Sequence, residues 1–427
     1  MRARMNKRTT VRRGAIVPFV ALSLVAIVGV IAVVIDGGLL RDNRRRVQAS
    51  ADAAALAAAY DLYNNFQRFA GVDTGGTASR SAFATANANG YTNDTTNSVV
   101  TVNIPPASGN FVGKPGYAEV IIEYKQKRGF TGMWGSGRLP VKARAVARGN
   151  WLSFPNGIIV LDPTDPNSLN ANGGSQVTVT NASVIVNSTD AAGAIATGGG
   201  TLTTSDLYLG GSPGWSVSGG STITGNIHSN SLPTPDPLAY LPYPDPSTMT
   251  VQDSNGAHIS GNGNNTKTLF PGVYHGGISI TGSPNVILMP GIYYLDGGGF
   301  SYTGQGSLTG TGIMFFNAPH SNSDVINISG GGAVNISPPT TGIYAGITIF
   351  QERSSTNIVS LTGNGQMQVS GTFYVAGGTL KTTGNGAGDV IGSQYISYIL
   401  NLGGNGGVNI DWNPQKTARK REIGLVE

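Results

Sequence analysis

From Gly14 to Ile35 the chain runs through 22 consecutive uncharged residues, mostly Ala, Val, Ile and Leu. About 20 helical residues cross the hydrocarbon of a bilayer, so this run, with Gly14, Pro18, Leu22 and Ile35 along it, predicts a transmembrane helix. A cleaved signal peptide has an apolar core of about 7–15 residues closed by a small-x-small site; the longer run here favours an uncleaved anchor. Arg2, Arg4, Lys7, Arg8, Arg12 and Arg13 precede it without any acid, whereas Arg41, Arg44, Arg45 and Arg46 come after it with Asp36 and Asp42 nearby. That bias makes residues 1–13 a basic cytoplasmic segment, residues 14–35 a single membrane pass, and the C-terminal remainder periplasmic or extracellular.

The net charge of +5 conceals a division. Residues 1–150 carry 20 basic and 8 acidic side chains, residues 151–415 carry 3 and 12, and residues 416–427 carry 4 and 2. These counts place a boundary near Trp151, with a short basic tail at 416–427 whose Lys416, Arg419, Lys420 and Arg421 read as a solvated end. Because the basic residues of the first part flank an apolar run, the lipid bilayer is the expected partner and nucleic acid is not. The chain has no cysteine, which excludes disulfide staples, thiolate metal sites and thiol catalysis.

Beyond the span, Val47, Ala51, Ala54, Ala58, Leu62, Phe66 and Phe69 recur at three- and four-residue steps, so the helix is expected to continue as an amphipathic stem to about residue 69. An Ala-rich stripe of this kind packs on its own domain more readily than on lipid headgroups. A second helix is predicted from Thr77 to Asn89, stopped by Gly90, and three alternating runs then read as strands. Val100, Val102 and Ile104 share one face, as do Ala118, Val120, Ile122 and Tyr124, and Val141, Ala143, Ala145 and Ala147. Residues 36–150 are thus a helical stem with a small α+β domain.

Arg12-Arg13-Gly14-Ala15-Ile16-Val17-Pro18-Phe19-Val20-Ala21-Leu22, Asp36, and Val47-Gln48-Ala49-Ser50-Ala51-Asp52 followed by Ala53 to Ala59 resemble the TadG-like N-terminal region of Flp (tight adherence) pilus-assembly proteins. The related TadE-like pseudopilins carry a glutamate five residues after the glycine of their cleavage site; here that position is Phe19, preceded by Pro18, which favours an uncleaved TadG-like anchor. The resemblance covers about residues 11–150. It implies association with a pilus or secretion apparatus in a bacterial envelope.

After Trp151 short β-branched runs alternate with Gly, Asn and Ser, among them Val177-Thr-Val-Thr, Ser183-Val-Ile-Val, Gly277-Ile-Ser-Ile, Asn285-Val-Ile-Leu and Phe373-Tyr-Val. Pro271-Gly272-Val273-Tyr274 recurs as Pro290-Gly291-Ile292-Tyr293, a spacing that suits one solenoid coil. The fold class expected for 151–415 is all-β, a right-handed parallel β-helix whose stacked coils pair each other's edges; a jelly roll or propeller would share the composition. Pro233, Pro235, Pro237, Pro242, Pro244 and Pro246 cannot donate ladder bonds, so 232–247 reads as an excursion between stacks or across a coil face, separating sub-stacks at about 151–231 and 248–415. Gly157-Ile-Ile-Val-Leu-Asp162-Pro163 and Val184-Ile-Val-Asn187-Ser188 are similar to the extension found behind TadG-like anchors in some bacteria.

Catalysis is not expected. Asp206, Asp236, Asp245, Asp253, Asp296, Asp324, Asp389 and Asp411 are scattered singly, and Lys267, Arg353 and Lys381 are the only Lys or Arg between 151 and 415. Asp296, before Gly297-Gly298-Gly299, reads as an Asx turn at a corner. His228, His258, His275 and His320 lack the close spacing of a zinc motif. Gly384-Asn385-Gly386-Ala387-Gly388-Asp389 is a single imperfect echo of a calcium repeat, and Gly403-Gly404-Asn405-Gly406-Gly407 lacks a P-loop lysine, so both read as corners and no cofactor or metal is assigned. Tyr274, Tyr293, Tyr294 and Tyr302 are the nearest approach to an aromatic glycan platform, although their alternation equally suits internal stacking. The expectation is a non-catalytic, membrane-anchored envelope protein of Flp pilus assembly or adhesion, with pilus-assembly or other envelope proteins as partners. Surface glycan binding, or less readily a carbohydrate-active β-helix enzyme, are the alternatives.

Overall fold

Ile16–Phe69 forms one unbroken 54-residue helix, α1, in the computed structural model, which describes residues 16–263, 266–386 and 389–427. At 1.5 Å per residue it is about 80 Å long. Between Ile16 and Ile35 it is almost entirely exposed, while Val47, Ala51, Ala54, Ala58 and Leu62 are buried. The stripe predicted from the sequence therefore packs on the protein's own first unit. A second helix, α2 (Thr77–Ala88), adds buried Ala78, Ala82 and Ala86, and three antiparallel strands come next, β1 (Ser98–Asn103), β2 (Tyr117–Gln126) and β3 (Leu139–Ser153). Register places Val100 opposite Ile122 and Ile122 opposite Ala143, so the alternating faces converge on the Ala-rich helix. Small side chains allow a close approach. A Cβ on Gly149 of β3 would lie 1.7 Å from the carbonyl oxygen of Ala59.

The fourth strand of this sheet comes from the other end of the chain. Arg419–Leu425 lies beside β3, and close by Val146 accepts from the Val426 N–H and donates to the Glu427 carbonyl, each at 2.8 Å. Residues 416–427 are therefore not a solvated tail. Arg421 lies 4.3 Å from the Trp151 ring centroid, Arg148 pairs with Glu422, and Arg144 pairs with Glu427. This segment has its partners on the first unit, which its basic composition alone does not reveal. The first unit runs to Trp151 and takes in Arg421–Glu427; the second is Leu152–Lys420.

The second unit is a parallel β-helix of three sheets. The pairings give ten three-strand coils among the described residues, plus a last strand segment at 226–228. Inward residues stack coil on coil: Tyr293, Phe315, Ile349, Phe373, Tyr395, Ile158, Val184 and Leu207 are fully buried. The coils differ in length, since Thr266 stacks on Asn285 whereas Phe315 stacks on the much more distant Ile349. Loops of unequal length absorb the difference. The two Pro-Gly-aliphatic-Tyr segments would align Gly272 with Gly291, yet Gly272 pairs with Tyr293. A slip of two residues preserves the inward side in a strand, so Tyr274 and Tyr293 still stack inside at 5.9 Å.

Chain order and stacking order differ. Coils from 251 to 411 run toward one end, and the first coil in sequence (156–180) stacks on the last one (394–411) through Tyr395 to Ile158, Leu400 to Leu169 and Val408 to Val177. The two sub-stacks expected from the sequence are thus one continuous stack, joined in reverse order. The chain enters and leaves the solenoid at the same level, where Trp412 donates to the carbonyl of Phe154. Residues 229–250 must then return the chain along the whole stack. Ten coil steps of about 4.8 Å make ~48 Å, and 22 residues of polyproline II reach ~68 Å, so the Pro-rich stretch is long and stiff enough.

Candidate functional site

The anchor is built by α1. Pro18 sits in its first turn, where the missing N–H costs no hydrogen bond. Leu22 is 69% and Ile35 39% exposed, as lipid-facing residues in an isolated chain must be; Gly14, with residues 1–13, lies outside the described residues. This is the one helix among the described residues long and apolar enough to cross a membrane. Asp36, directly after the run, is buried: its carboxylate accepts from the backbone N–H of Phe130 at 3.0 Å and of Thr131 at 2.8 Å, and from the Thr131 hydroxyl. It thereby ties the turn Phe130–Trp134 to the helix. Arg41, Arg44 and Arg45 are exposed on the next two turns, and Arg46 pairs with Asp42 at 2.9 Å.

On the solenoid the three outer faces differ. The first carries an apolar ladder pointing outward: register links Tyr294, Phe316, Phe350, Tyr374, Ile396, Ile159 and Ile185 in turn. Such a ladder must be covered, and the Pro-rich return segment lies across it, burying Leu238 and Leu241. The side chain of Asn187 brackets the backbone of Thr234 with two 2.8 Å bonds, and Tyr344 donates to the Pro242 carbonyl. Arg353 donates to the carbonyls of Leu238 and Leu241 and lies over the rings of Tyr243, Phe350 and Tyr374. Its guanidinium is fully engaged in this clamp. The other two faces are nearly uncharged. Ser279, Ser301, Asn327 and Ser360 stand in one row and Asn409, Thr178, Thr203 and Thr224 in another.

The scattered acids mostly serve turns. Asp162, Asp190, Asp236, Asp245 and Asp253 each accept the N–H two residues on. Asp324 caps His320 and Ser321, and Asp389 accepts from Gly365 and Met367 on the preceding coil. Asp296 departs from the expected Asx turn: its two oxygens meet His275 Nδ1 at 2.6 Å and His320 Nε2 at 2.9 Å, one residue from each of three successive coils. The corner beside it is still made by glycine, since Gly297, Gly298 and Gly299 all have positive φ and a Cβ on Gly298 would lie 2.0 Å from the Gly276 carbonyl oxygen. His228 meets Asp206 at 3.1 Å and stacks on Tyr208. His258 joins neither group, and among the described residues no group of three or more acids and histidines is placed around a common metal position. Of the four tyrosines, Tyr274, Tyr293 and Tyr302 are internal and only Tyr294 faces outward, against Phe316. They do not form a platform. Sequence reasoning missed the Asp36 tether, the Arg353 clamp and the His275–Asp296–His320 row. Only the last left a signal, because its members succeed one another at intervals close to one coil.

An apolar anchor helix, an Ala-packed α+β unit and a covered parallel β-helix define a single-pass, membrane-anchored solenoid protein. Residues 14–61, the anchor and most of the stem, match the model of the family "Putative Flp pilus-assembly TadE/G-like" and are similar to it over that stretch. The chain has no match among curated proteins or solved structures.

Proposed function

We propose that the protein is a non-catalytic envelope component that works with the Flp pilus-assembly apparatus, its N-terminus cytoplasmic and its solenoid held outside the cytoplasm. The TadE/G-like match over residues 14–61 carries this reading. The covered first face and the turn-bound aspartates support a structural rather than catalytic solenoid, because most carboxylates that could act as acid and base are occupied by backbone N–H groups. Two polar, nearly uncharged faces remain for contact with protein or polymer. Their rows of hydroxyl and amide groups also favour a second reading, the binding of a neutral surface glycan, since neutral hydroxyl-rich ligands are recognised by hydrogen bonds rather than charge.

The test is affinity purification of the full chain from gently solubilised membranes, using a tag inserted beside Leu232, which is 90% exposed. Enrichment of Flp assembly proteins is expected. Recovery of the intact protein without them, together with retention on a neutral glycan array, would favour the second reading instead.

A further inference from the structure

The turn held by Asp36 has a position and a composition that no pilus role requires. It packs on α1, and Ala32, near the end of an almost entirely exposed span, is only 2% exposed. Ala32 lies one helical turn inside the apolar run, about 6 Å below Asp36 along the axis. A turn bound to Asp36, directly at the end of the apolar run, cannot stand clear of the membrane that the anchor crosses. Its sequence, Lys127-Arg-Gly-Phe-Thr-Gly-Met-Trp-Gly-Ser-Gly-Arg138, sets aromatic and apolar residues between cations. Phe130 is 55% exposed, and Lys127, Arg128 and Arg138 are exposed around it. Arg128 donates to the Gly137 carbonyl at 2.9 Å and closes the loop, leaving Phe130 projecting.

We propose that this loop is a second membrane contact, seated in the interfacial layer of the bilayer beside the anchor, with Phe130 at headgroup depth and Lys127 and Arg128 facing lipid phosphates, while Arg138 is held by Thr96 and Asn97. Aromatic residues concentrate at that layer because their rings meet hydrocarbon on one side and polar groups on the other, and each cation near an anionic surface contributes about 1 kcal/mol. The Asp36 carboxylate can lie so close to hydrocarbon because two backbone N–H groups and a hydroxyl satisfy it. The loop fixes the depth of α1 and its rotation about its axis, so the first unit is held at one height and orientation above the surface. The inference rests on α1 crossing the membrane.

The chain has no cysteine, so single nitroxide labels are clean probes. The full chain is reconstituted in phosphatidylcholine–phosphatidylglycerol vesicles with Ile27→Cys, Phe130→Cys or Val72→Cys, all exposed positions. Collision rates with oxygen, which partitions into lipid, and with a water-soluble nickel chelate are compared. The oxygen-to-chelate ratio at 130 is expected to exceed that at 72 by about fivefold or more and to approach that at 27. A lipid-like ratio at 27 with a water-like ratio at 130 would overturn the proposal and leave the anchor standing. A water-like ratio at 27 would overturn the anchor and the proposal together.

Discussion

Arg353 donates from Nε to the hydroxyl of Tyr374 at 2.7 Å while its guanidinium lies 5.5 Å from the centroid of the same ring. Tyr374 in turn donates to Asp236 at 2.5 Å, so the solenoid grips the Pro-rich segment through a tyrosine, an arginine and two carbonyls. Arg353→Ala leaves those carbonyls short of a donor and removes contacts with three rings, an expected loss of about 2–4 kcal/mol. Arg353→Lys recovers little, because one ammonium cannot serve the hydroxyl, both carbonyls and the rings at once. Limited proteolysis with mass spectrometry should find cleavage within 229–250 sharply increased in Arg353→Ala; unchanged protection would contradict the clamp.

Glu119 predicts an acid-sensitive first unit. Burial pushes its carboxyl upward, but bonds from Ser108, Asn103, Arg144 and the Ala107 N–H outweigh burial and hold it at about 2. A folded-state pKa below the unfolded value of about 4.5 contributes stability that is complete above that value and is lost as pH falls toward 2. The contribution is about 3 kcal/mol. Hydrogen exchange of the β2 amides should show protection falling between pH 5 and pH 2 after correction for intrinsic rates. Glu119→Gln should lower protection at neutral pH and flatten that fall.

Gly149→Ala drives a methyl group into the Ala59 carbonyl, and neither backbone can move without opening the helix–sheet core. The expected cost is about 3 kcal/mol or more. Gly424→Ala, on the neighbouring strand with nothing within 4 Å, should change stability by less than about 0.5 kcal/mol. Thermal unfolding of the two variants side by side decides whether the close approach is real.

Deleting residues 421–427 removes most of the strand beside β3 together with Glu427, Glu422 and Arg421, which contact Arg144, Arg148 and Trp151. The exposed edge should make the detergent-solubilised protein self-associate. Size-exclusion chromatography should show larger species, while exchange protection in the β-helix stays unchanged because its coils keep all their neighbours. Loss of protection in both units would contradict this independence.

Much of the architecture is legible because it arises from period. The uncharged run from Gly14 to Ile35, the steps from Val47 to Phe69 and the alternation in β1 to β3 each carry the length or spacing of the element they form. The runs Ile158-Ile159-Val160, Val184-Ile185-Val186 and Phe373-Tyr374-Val375 also carry a subtler sign, since continuous apolar residues mean strands covered on both sides. What periodicity cannot carry is connection between distant parts. The reversed stacking of the two sub-stacks, the return of Arg421 to Trp151 and the reach of Asp36 to Thr131 join positions far apart in the chain and leave no local pattern. The Pro-rich stretch is readable as an excursion, but the ladder it covers is not, because that ladder exists only once Tyr294, Phe316, Phe350 and Tyr374 are brought into register.

The central claim is a solenoid carried outside the cytoplasm by one anchor helix, and Leu232→Cys in the otherwise cysteine-free chain tests it most directly. Spheroplasts are treated with a maleimide that cannot cross the inner membrane, then compared with lysed cells. The account predicts full labelling of residue 232 before lysis. Labelling that appears only after lysis would place the solenoid in the cytoplasm and contradict it.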